Sequence, residues 1–161
     1  MFDFIKPPLY IRLSPYRLTV RNVKSGAFIS EVPEIAVSRG LKPKVLGAGD
    51  EAAPHKSSKS AQVINPFSHP RSMVSDFIHG QQVLKAFVRK LQANHVLSPA
   101  PRMVFHLLGE PAGGFTQVEI RAFHEMALGA GASEVTLWQG PELTDEQVLS
   151  RNYPSTGQVL E

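Results

Sequence analysis

The stretch from Met103 to Gln139, MVFHLLGEPAGGFTQVEIRAFHEMALGAGASEVTLWQ, decides the fold class because it predicts a strand, a helix and a second strand in succession. MVFHLL is a compact apolar run typical of a strand at the centre of a sheet. Thr116 and Glu119 have the spacing of a helix-capping box, and the glycines at 129 and 131 mark the helix end. Such a unit places two parallel strands side by side with the helix on one face.

The residues before this unit predict a meander and a first helix. Three segments rich in β-branched and aromatic residues, Leu9–Leu13, Arg17–Val23 and Ala27–Val37, favour antiparallel strands joined by hairpins. Two shorter strand candidates, Lys44–Ala48 and Gln62–Phe67, flank residues 49–61, which we interpret as an exposed, mobile loop. Asp76 is placed to cap a helix that continues to Leu91 at helical apolar spacing.

After the second parallel strand, Leu143–Ser150 predicts a short amphipathic helix capped by Thr144 or Asp145, and 151–161 is interpreted as a tail. The sequence therefore predicts one α/β domain over residues 1–150. Its mixed sheet of about five strands combines an antiparallel meander with parallel strands and is flanked by helices.

Composition narrows the function classes without selecting one. The 161 residues are 42% hydrophobic and 19% charged, which is typical of a globular domain. No apolar run approaches the ~20 residues of a membrane span, and the N-terminus lacks the pattern of a secretory signal. The absence of cysteine excludes disulfides and thiolate metal sites. A net charge of +3 permits contact with anionic partners without requiring it. We expect a cytoplasmic protein.

Three stretches resemble successive segments of the MreB family of bacterial actins. They are VPEIAVSRGLKPKVLGAGDEA, VINPFSHPRSMVSDFIHGQQVLKAFVRKL and APRMVFHLLGEPAGGFTQVEIRAFHEMALGAGASEVTLWQGP. In the third, T-x-V-E-x-R-A is followed by AL-x-AGA-x-EV. The resemblance runs from about Leu9 to Pro141 in the family's order and spacing. It implies the N-terminal half of an actin-like, ribonuclease H-like fold, from a family whose two domains close over ATP and a metal ion.

The first phosphate loop departs from the family pattern. IRLSPYRL stands where the resemblance implies I-D-L-G-T-A-N-T, so that Arg12 replaces the aspartate, Ser14 the glycine and Pro15 the following threonine. A guanidinium cannot ligate a metal, and proline has no amide to offer a phosphate. The second domain also falls outside the 161 residues. We therefore expect no ATP hydrolysis, no bound cofactor, metal or small-molecule substrate, and no enzyme activity.

Other residues admit two interpretations each. Glu119 matches a position that the resemblance associates with positioning water, but it is also the natural capping partner of Thr116, which we favour. Arg12, Arg17, Arg21 and Lys24 could bind phosphate or nucleic acid; a solvated strand face is the favoured interpretation, and a nucleic-acid partner is not expected. His106 lies in the apolar strand and is predicted to be a hydrogen-bonded core residue.

Three aromatic residues are candidates for contact surfaces. Phe2 and Phe4 could touch a membrane or, as we prefer, pack on the domain or a partner, while Trp138 marks either a contact surface or the core. The leading hypothesis is a non-catalytic interaction protein, homodimeric or docked on an actin-like filament or the cell-envelope machinery. A position at the periphery of the inner membrane is a further option. The alternatives are a nucleotide site completed by another chain and a nucleic-acid binder that uses the basic hairpin.

Overall fold

The computed structural model describes residues 7–69, 71–92, 100–111 and 113–161. The described part contains two sheets, three α-helices and a 3-10 helix. The strands are β1 Leu9–Leu13, β2 Leu18–Asn22, β3 Phe28–Glu31, β4 Ile35–Ser38, β5 Val45–Ala48, β6 Ala61–Ile64, β7 Arg102–Leu107, β8 Glu134–Gln139 and β9 Gln158–Leu160. The helices are the 3-10 helix Gly49–Ser57, α1 Phe77–Leu91, α2 Gln117–Gly129 and α3 Asp145–Ser150.

The larger sheet is mixed and has six strands in the order β3-β2-β1-β7-β8-β9. Strands β1, β7 and β8 run parallel, with Leu13 level with Leu107. β2 and β3 extend the sheet antiparallel on one side, and β9 does so on the other. The carboxyl ends of the three parallel strands therefore meet at one edge of the sheet.

The alternation of side chains along β1 divides the domain into two cores. Leu9, Ile11 and Leu13 are fully buried on the face that α1 and α2 cover. Tyr10 points to the other face, where it packs with Trp138 and with residues of α3 and the segment before it. Because successive side chains of a strand point to opposite faces of the sheet, alternate residues of β1 are buried in the two different cores.

The helix starts confirm the capping signals. The Asp76 side chain accepts the His79 amide at the start of α1. Thr116 and Glu119 form a complete capping box at α2. Thr144, rather than Asp145, caps α3. No helix in the described ranges is both long and apolar enough to cross a membrane.

The smaller sheet, with strand order β5-β4-β6, corrects two predictions. The predicted strand Ala27–Val37 is two strands, β3 and β4, which belong to different sheets. Residues 49–61, predicted as a loop, form the 3-10 helix and the start of β6, and Ala52 of that helix is fully buried. The sequence GDEAAPHKS lacks an apolar period because this short helix buries only two small residues, Gly49 and Ala52.

The predicted tail at 151–161 is also corrected. Residues 158–160 form β9, which pairs with β8 through Leu137–Leu160, Trp138–Val159 and Gln139–Gln158. The α/β class and the mixed sheet flanked by helices are confirmed, but the larger sheet has six strands where about five were predicted.

Candidate site at the carboxyl ends of the parallel strands

Ligands of open α/β sheets bind outside the carboxyl ends of the parallel strands, so this edge is the candidate site. Two shallow cavities lie there. One, of about 210 Å³, is lined by residues that include Pro15, Ser72 and Glu110. The other, of about 300 Å³, is lined by residues that include His106, Glu110 and Gly140. Because Glu110 lines both cavities, the loop after β1 and the loops after β7 and β8 border one crevice at this edge.

The turn between β1 and β2 is closed by its own hydroxyl. Ser14 Oγ accepts the backbone amides of Tyr16 at 3.3 Å and Arg17 at 3.1 Å. The Ser14 amide donates to the Arg17 carbonyl at 3.0 Å, and Pro15 has no amide hydrogen. Asn65 Nδ2 further ties the turn down by donating to the Pro15 carbonyl at 2.7 Å. Every amide of this turn thus already has an acceptor within the chain.

Arg12 lies at the end of β1 and pairs with a carboxylate that follows β8. Its Nη1 is 3.2 Å from Glu142 Oε1, and its side chain is 35% exposed. A cation therefore occupies the position where the family resemblance implies a carboxylate for the metal. Within the described ranges, no cluster of three or more His, Asp or Glu side chains could hold a metal ion.

Glu119 serves the capping role that the sequence favoured. Its Oε1 accepts the Thr116 amide at 3.2 Å and the Thr116 hydroxyl at 3.0 Å. Its other oxygen accepts the Ser72 hydroxyl at 3.1 Å, which links α2 to the segment before α1. Both carboxylate oxygens are therefore engaged in local structure.

A buried hydrogen-bond chain lies behind the crevice. The Leu143 amide donates to Tyr10 Oη at 3.0 Å. Tyr10 Oη is 2.6 Å from His106 Nδ1, and His106 Nε2 is 2.8 Å from the Gly140 carbonyl. A carbonyl only accepts, so Nε2 carries the proton and Nδ1 accepts from Tyr10. The predicted core role of His106 is confirmed.

Burial sets the titration of both side chains in this chain. It lowers the pKa of His106, although the bond to the Gly140 carbonyl acts in the opposite direction. Burial also raises the pKa of Tyr10, against the opposing effect of the Leu143 amide. Both residues are consequently held neutral, as the directions of their hydrogen bonds require.

The basic hairpin is largely neutralised by its neighbours. Arg21 donates from Nε and Nη2 to the two carboxylate oxygens of Asp145 at 3.2 and 2.8 Å. That bond, and the attraction of the Asp145 charge, raise the pKa of Arg21. Arg17 is exposed and donates to the Ser30 carbonyl at 3.1 Å. The hairpin cations thus do not form one continuous free patch.

Of the three aromatic candidates, the structure describes Trp138. Trp138 is 1% exposed and stacks on Tyr153, so the core interpretation is confirmed and the contact-surface interpretation is wrong. It is enclosed because Gly140 and Gly157 approach the indole, and its Nε1 donates to the Pro141 carbonyl at 2.9 Å. Phe2 and Phe4 lie outside the described residues.

The sequence did not predict that Tyr10 contacts His106, or that Glu142 and Asp145 pair with the arginines of the hairpin. Tyr10 alternates with the buried residues of β1, which would have placed it on the opposite face. The two acids lie more than 120 positions from the arginines that they pair with. Only the three-dimensional approach of the α3 segment to β1 and β2 reveals these pairs.

Comparison with known proteins gives this geometry its context. The family model "MreB/Mbl protein" matches residues 11–144. The cell shape-determining protein MreB of Pasteurella multocida is 34% identical over 127 residues, covering 79% of this chain and 31% of its own length. MreB of Escherichia coli is 39% identical over 129 residues, covering 76% and 35%.

The fold is similar to that of MreB5 of Spiroplasma citri in its AMPPNP-bound crystal structure. The TM-score is 0.64 at 14% identity, over 82% of this chain and 38% of that one. The ADP-bound structure of the same protein gives the same TM-score. The chain thus spans about a third of the length of the curated relatives that it matches. With most of its residues matched by the family model, this chain belongs to the MreB/Mbl family.

Proposed function

We propose that this chain is a non-catalytic MreB-family domain that acts through contact with other proteins. The observation that carries the proposal is the β1–β2 turn, where Ser14 Oγ takes up the amides of Tyr16 and Arg17. Phosphate loops bind because consecutive backbone amides point at the anion without another acceptor. A turn that satisfies its own amides offers a phosphate little hydrogen-bonding energy.

The charge at Arg12 supports the same conclusion by an independent route. Mg²⁺ is held by oxygen ligands and keeps much of its water. A guanidinium beside that position repels the cation, and the Glu142 carboxylate nearby is already paired with Arg12 at 3.2 Å. The turn and the ion pair therefore disfavour the phosphate and the metal separately.

An exposed apolar surface beside the crevice suits a protein partner. Tyr16, at the tip of the same turn, is 82% exposed, and Leu108, directly after β7, is 42% exposed. Both residues follow the carboxyl ends of adjacent strands, β1 and β7, which stay paired beyond the strands because the Leu108 amide donates to the Leu13 carbonyl. We propose that this edge contacts a second copy of the chain, an actin-like filament of the MreB family or a cell-envelope protein, in a role linked to cell shape.

Isothermal titration with ATP and Mg²⁺ tests the negative half of the proposal. The chain is expected to give no binding heat, whereas MreB5 of Spiroplasma citri, whose structures were solved with AMPPNP and with ADP, serves as the positive control. Binding in the micromolar range would overturn the proposal and favour a nucleotide site completed by another chain. Adding the chain to Escherichia coli MreB and measuring phosphate release tests that alternative directly.

Light scattering after size exclusion and co-sedimentation with Escherichia coli MreB test the positive half. We expect either a dimer or co-sedimentation, and its loss in Tyr16→Ser and Leu108→Ser. Leu128→Ser is the matched control, because Leu128 is 47% exposed near the end of α2, where the chain returns to the opposite edge of the sheet to start β8. A monodisperse monomer that stays in the supernatant, or equal loss in the control, would contradict the proposal.

A further inference from the structure

A larger cavity, of about 460 Å³, lies on the α3 side of the main sheet, apart from the crevice at the strand ends. Its floor is the face of β1, β2 and β3, and its wall is the segment that leads into α3. Six of its lining residues matter here: Tyr10, Arg12, Thr19, Arg21, Phe28 and Glu142. The volume falls in the range of about 300–1,000 Å³ that is usual for ligand pockets.

The two arginines of this cavity are held very differently. Arg21 is fixed, since Nε and Nη2 donate to Asp145 and Nη1 donates to the Gly26 carbonyl. Arg12 meets Glu142 through one nitrogen at 3.2 Å, and its Nε is buried without a hydrogen-bond partner. The Glu142 side chain is 64% exposed. Because Arg12 is itself one-third exposed, it can turn so that an incoming carboxylate engages both Nε and Nη, a stronger geometry than the present one.

The surroundings of Arg12 define what kind of anion fits. Glu142 and Asp145 both line the cavity, so a dianionic phosphate would meet two negative charges. A single carboxylate that takes the place of Glu142 avoids most of that repulsion. Phe28, on the edge strand β3, is 63% exposed and offers its ring to an apolar group beside the carboxylate.

A segment of a partner protein fits the arginine and the exposed phenyl ring of this cavity better than a flat membrane surface does. The cavity is concave, so a membrane plane cannot reach Arg12 at its floor. Phe28 on β3 and Arg12 on β1 line the same cavity with β2 between them, so a short segment that crosses this face of the sheet can place one side chain on Phe28 and the next near Arg12.

We propose that this cavity docks a segment of a partner protein that carries a carboxylate side chain next to an apolar one. The carboxylate displaces Glu142 from Arg12, and the apolar group packs on Phe28. The inference rests on the proposed function in protein contact, but it concerns a different surface from the edge formed by Tyr16 and Leu108.

Titration of the ¹⁵N-labelled chain with two capped dipeptides, acetyl-Phe-Glu-amide and acetyl-Phe-Gln-amide, tests the proposal. The Glu peptide is expected to bind at least tenfold more tightly and to shift resonances of β1, β3 and the 142–145 segment. Arg12→Gln should abolish the difference between the peptides. Glu142→Gln should strengthen binding of the Glu peptide several-fold, because it removes the carboxylate that competes with the peptide for Arg12. If the Arg12–Glu142 pair only held the structure together, the same change would weaken binding.

The control is Arg89→Gln, which removes the same charge from an exposed position on α1 across the sheet. It should leave peptide affinity unchanged. Equal binding of the two peptides, weaker binding in Glu142→Gln, or an equal loss in Arg89→Gln would overturn the inference. Inorganic phosphate or phenylpropionate binding more tightly than the Glu peptide would also overturn it, in favour of a small-anion site. None of these failures alters the tests with ATP or with MreB, so a failure of this inference is distinguishable from a failure of the proposed function.

Discussion

Tyr10→Phe removes one oxygen atom from the centre of the hydrogen-bond chain that joins β1, β7 and the segment before α3. Tyr10 is 3% exposed, so water does not replace the lost hydroxyl. The phenyl ring still packs against Val104 and Trp138, whose burial does not depend on the hydroxyl. The substitution therefore isolates the polar contribution of the chain.

Two buried groups lose their partner in this variant. The Leu143 amide loses its acceptor at 3.0 Å, and His106 Nδ1 loses its donor at 2.6 Å. A buried polar group left unsatisfied costs about 1–3 kcal/mol. Since His106 keeps its bond to the Gly140 carbonyl, we expect a loss of about 2–4 kcal/mol in the free energy of unfolding. For a chain of this size, that corresponds to a drop of roughly 4–16 °C in Tm.

Urea denaturation followed by circular dichroism measures the change. Tyr153→Phe is the matched control, because Tyr153 stacks on Trp138 and its hydroxyl makes no hydrogen bond within the described part of the chain. The control should change the free energy of unfolding by less than about 0.5 kcal/mol. A Tyr10→Phe variant as stable as the parent, or a control that loses as much, would refute the reasoning.

Three further predictions concern other parts of the fold. Burial lowers the pKa of His106 in the folded chain below its value in the unfolded chain. As the pH falls, the unfolded chain therefore binds the proton before the folded chain does. The stability that neutral His106 contributes is complete above about pH 6.5 and is lost as the pH falls below it. Urea midpoints between pH 8 and 5 should therefore fall less steeply in His106→Gln than in the parent, and equal slopes would contradict this. Thr116→Ala should cost about 1 kcal/mol by removing the α2 cap, seen as a lower Tm, whereas Gln117→Ala should cost little. Gly157→Ala should lower the free energy of unfolding by about 1–3 kcal/mol, because its Cβ would lie 2.5 Å from the Trp138 ring and 2.6 Å from the Gln139 carbonyl. Thr156→Ala, at the exposed neighbouring position, should have little effect. A Gly157→Ala variant as stable as the parent would show that residues 151–161 pack less tightly than the structure indicates.

The sequence correctly predicted the elements whose formation depends on residues close together in the chain. β8, Glu134–Gln139, lies where the sequence predicted the second strand of the strand–helix–strand unit. Asp76 and Thr116 cap α1 and α2 as predicted. A capping side chain bonds to amides two or three residues away, so the information needed to predict it lies within one window of sequence.

The features that were missed depend on distant partners. Gln158–Leu160 is too short to read as a strand by itself and becomes one only because β8 presents a free edge. Trp138, for which the sequence left a contact surface and the core open, is buried because Gly140 and the more distant Gly157 let the backbone close over its ring. Pairing of Arg21 with Asp145 and of Arg12 with Glu142 likewise requires the approach of the α3 segment. A single sequence contains no local signal for any of these contacts.

Two of the three departures in the first phosphate loop, Arg12 and Ser14, act on different atoms, and this determines what restoring the loop requires. Ser14→Gly would free the amides of Tyr16 and Arg17 by removing the hydroxyl that they bond to. It would leave the Arg12 guanidinium where a carboxylate is needed for a hydrated metal. Arg12→Asp alone would place a carboxylate near Glu142 with no cation between them, while the turn stayed closed. Neither change by itself should therefore produce binding of ATP and Mg²⁺ in the titration. Binding regained by either single variant would show that the two defects are not independent.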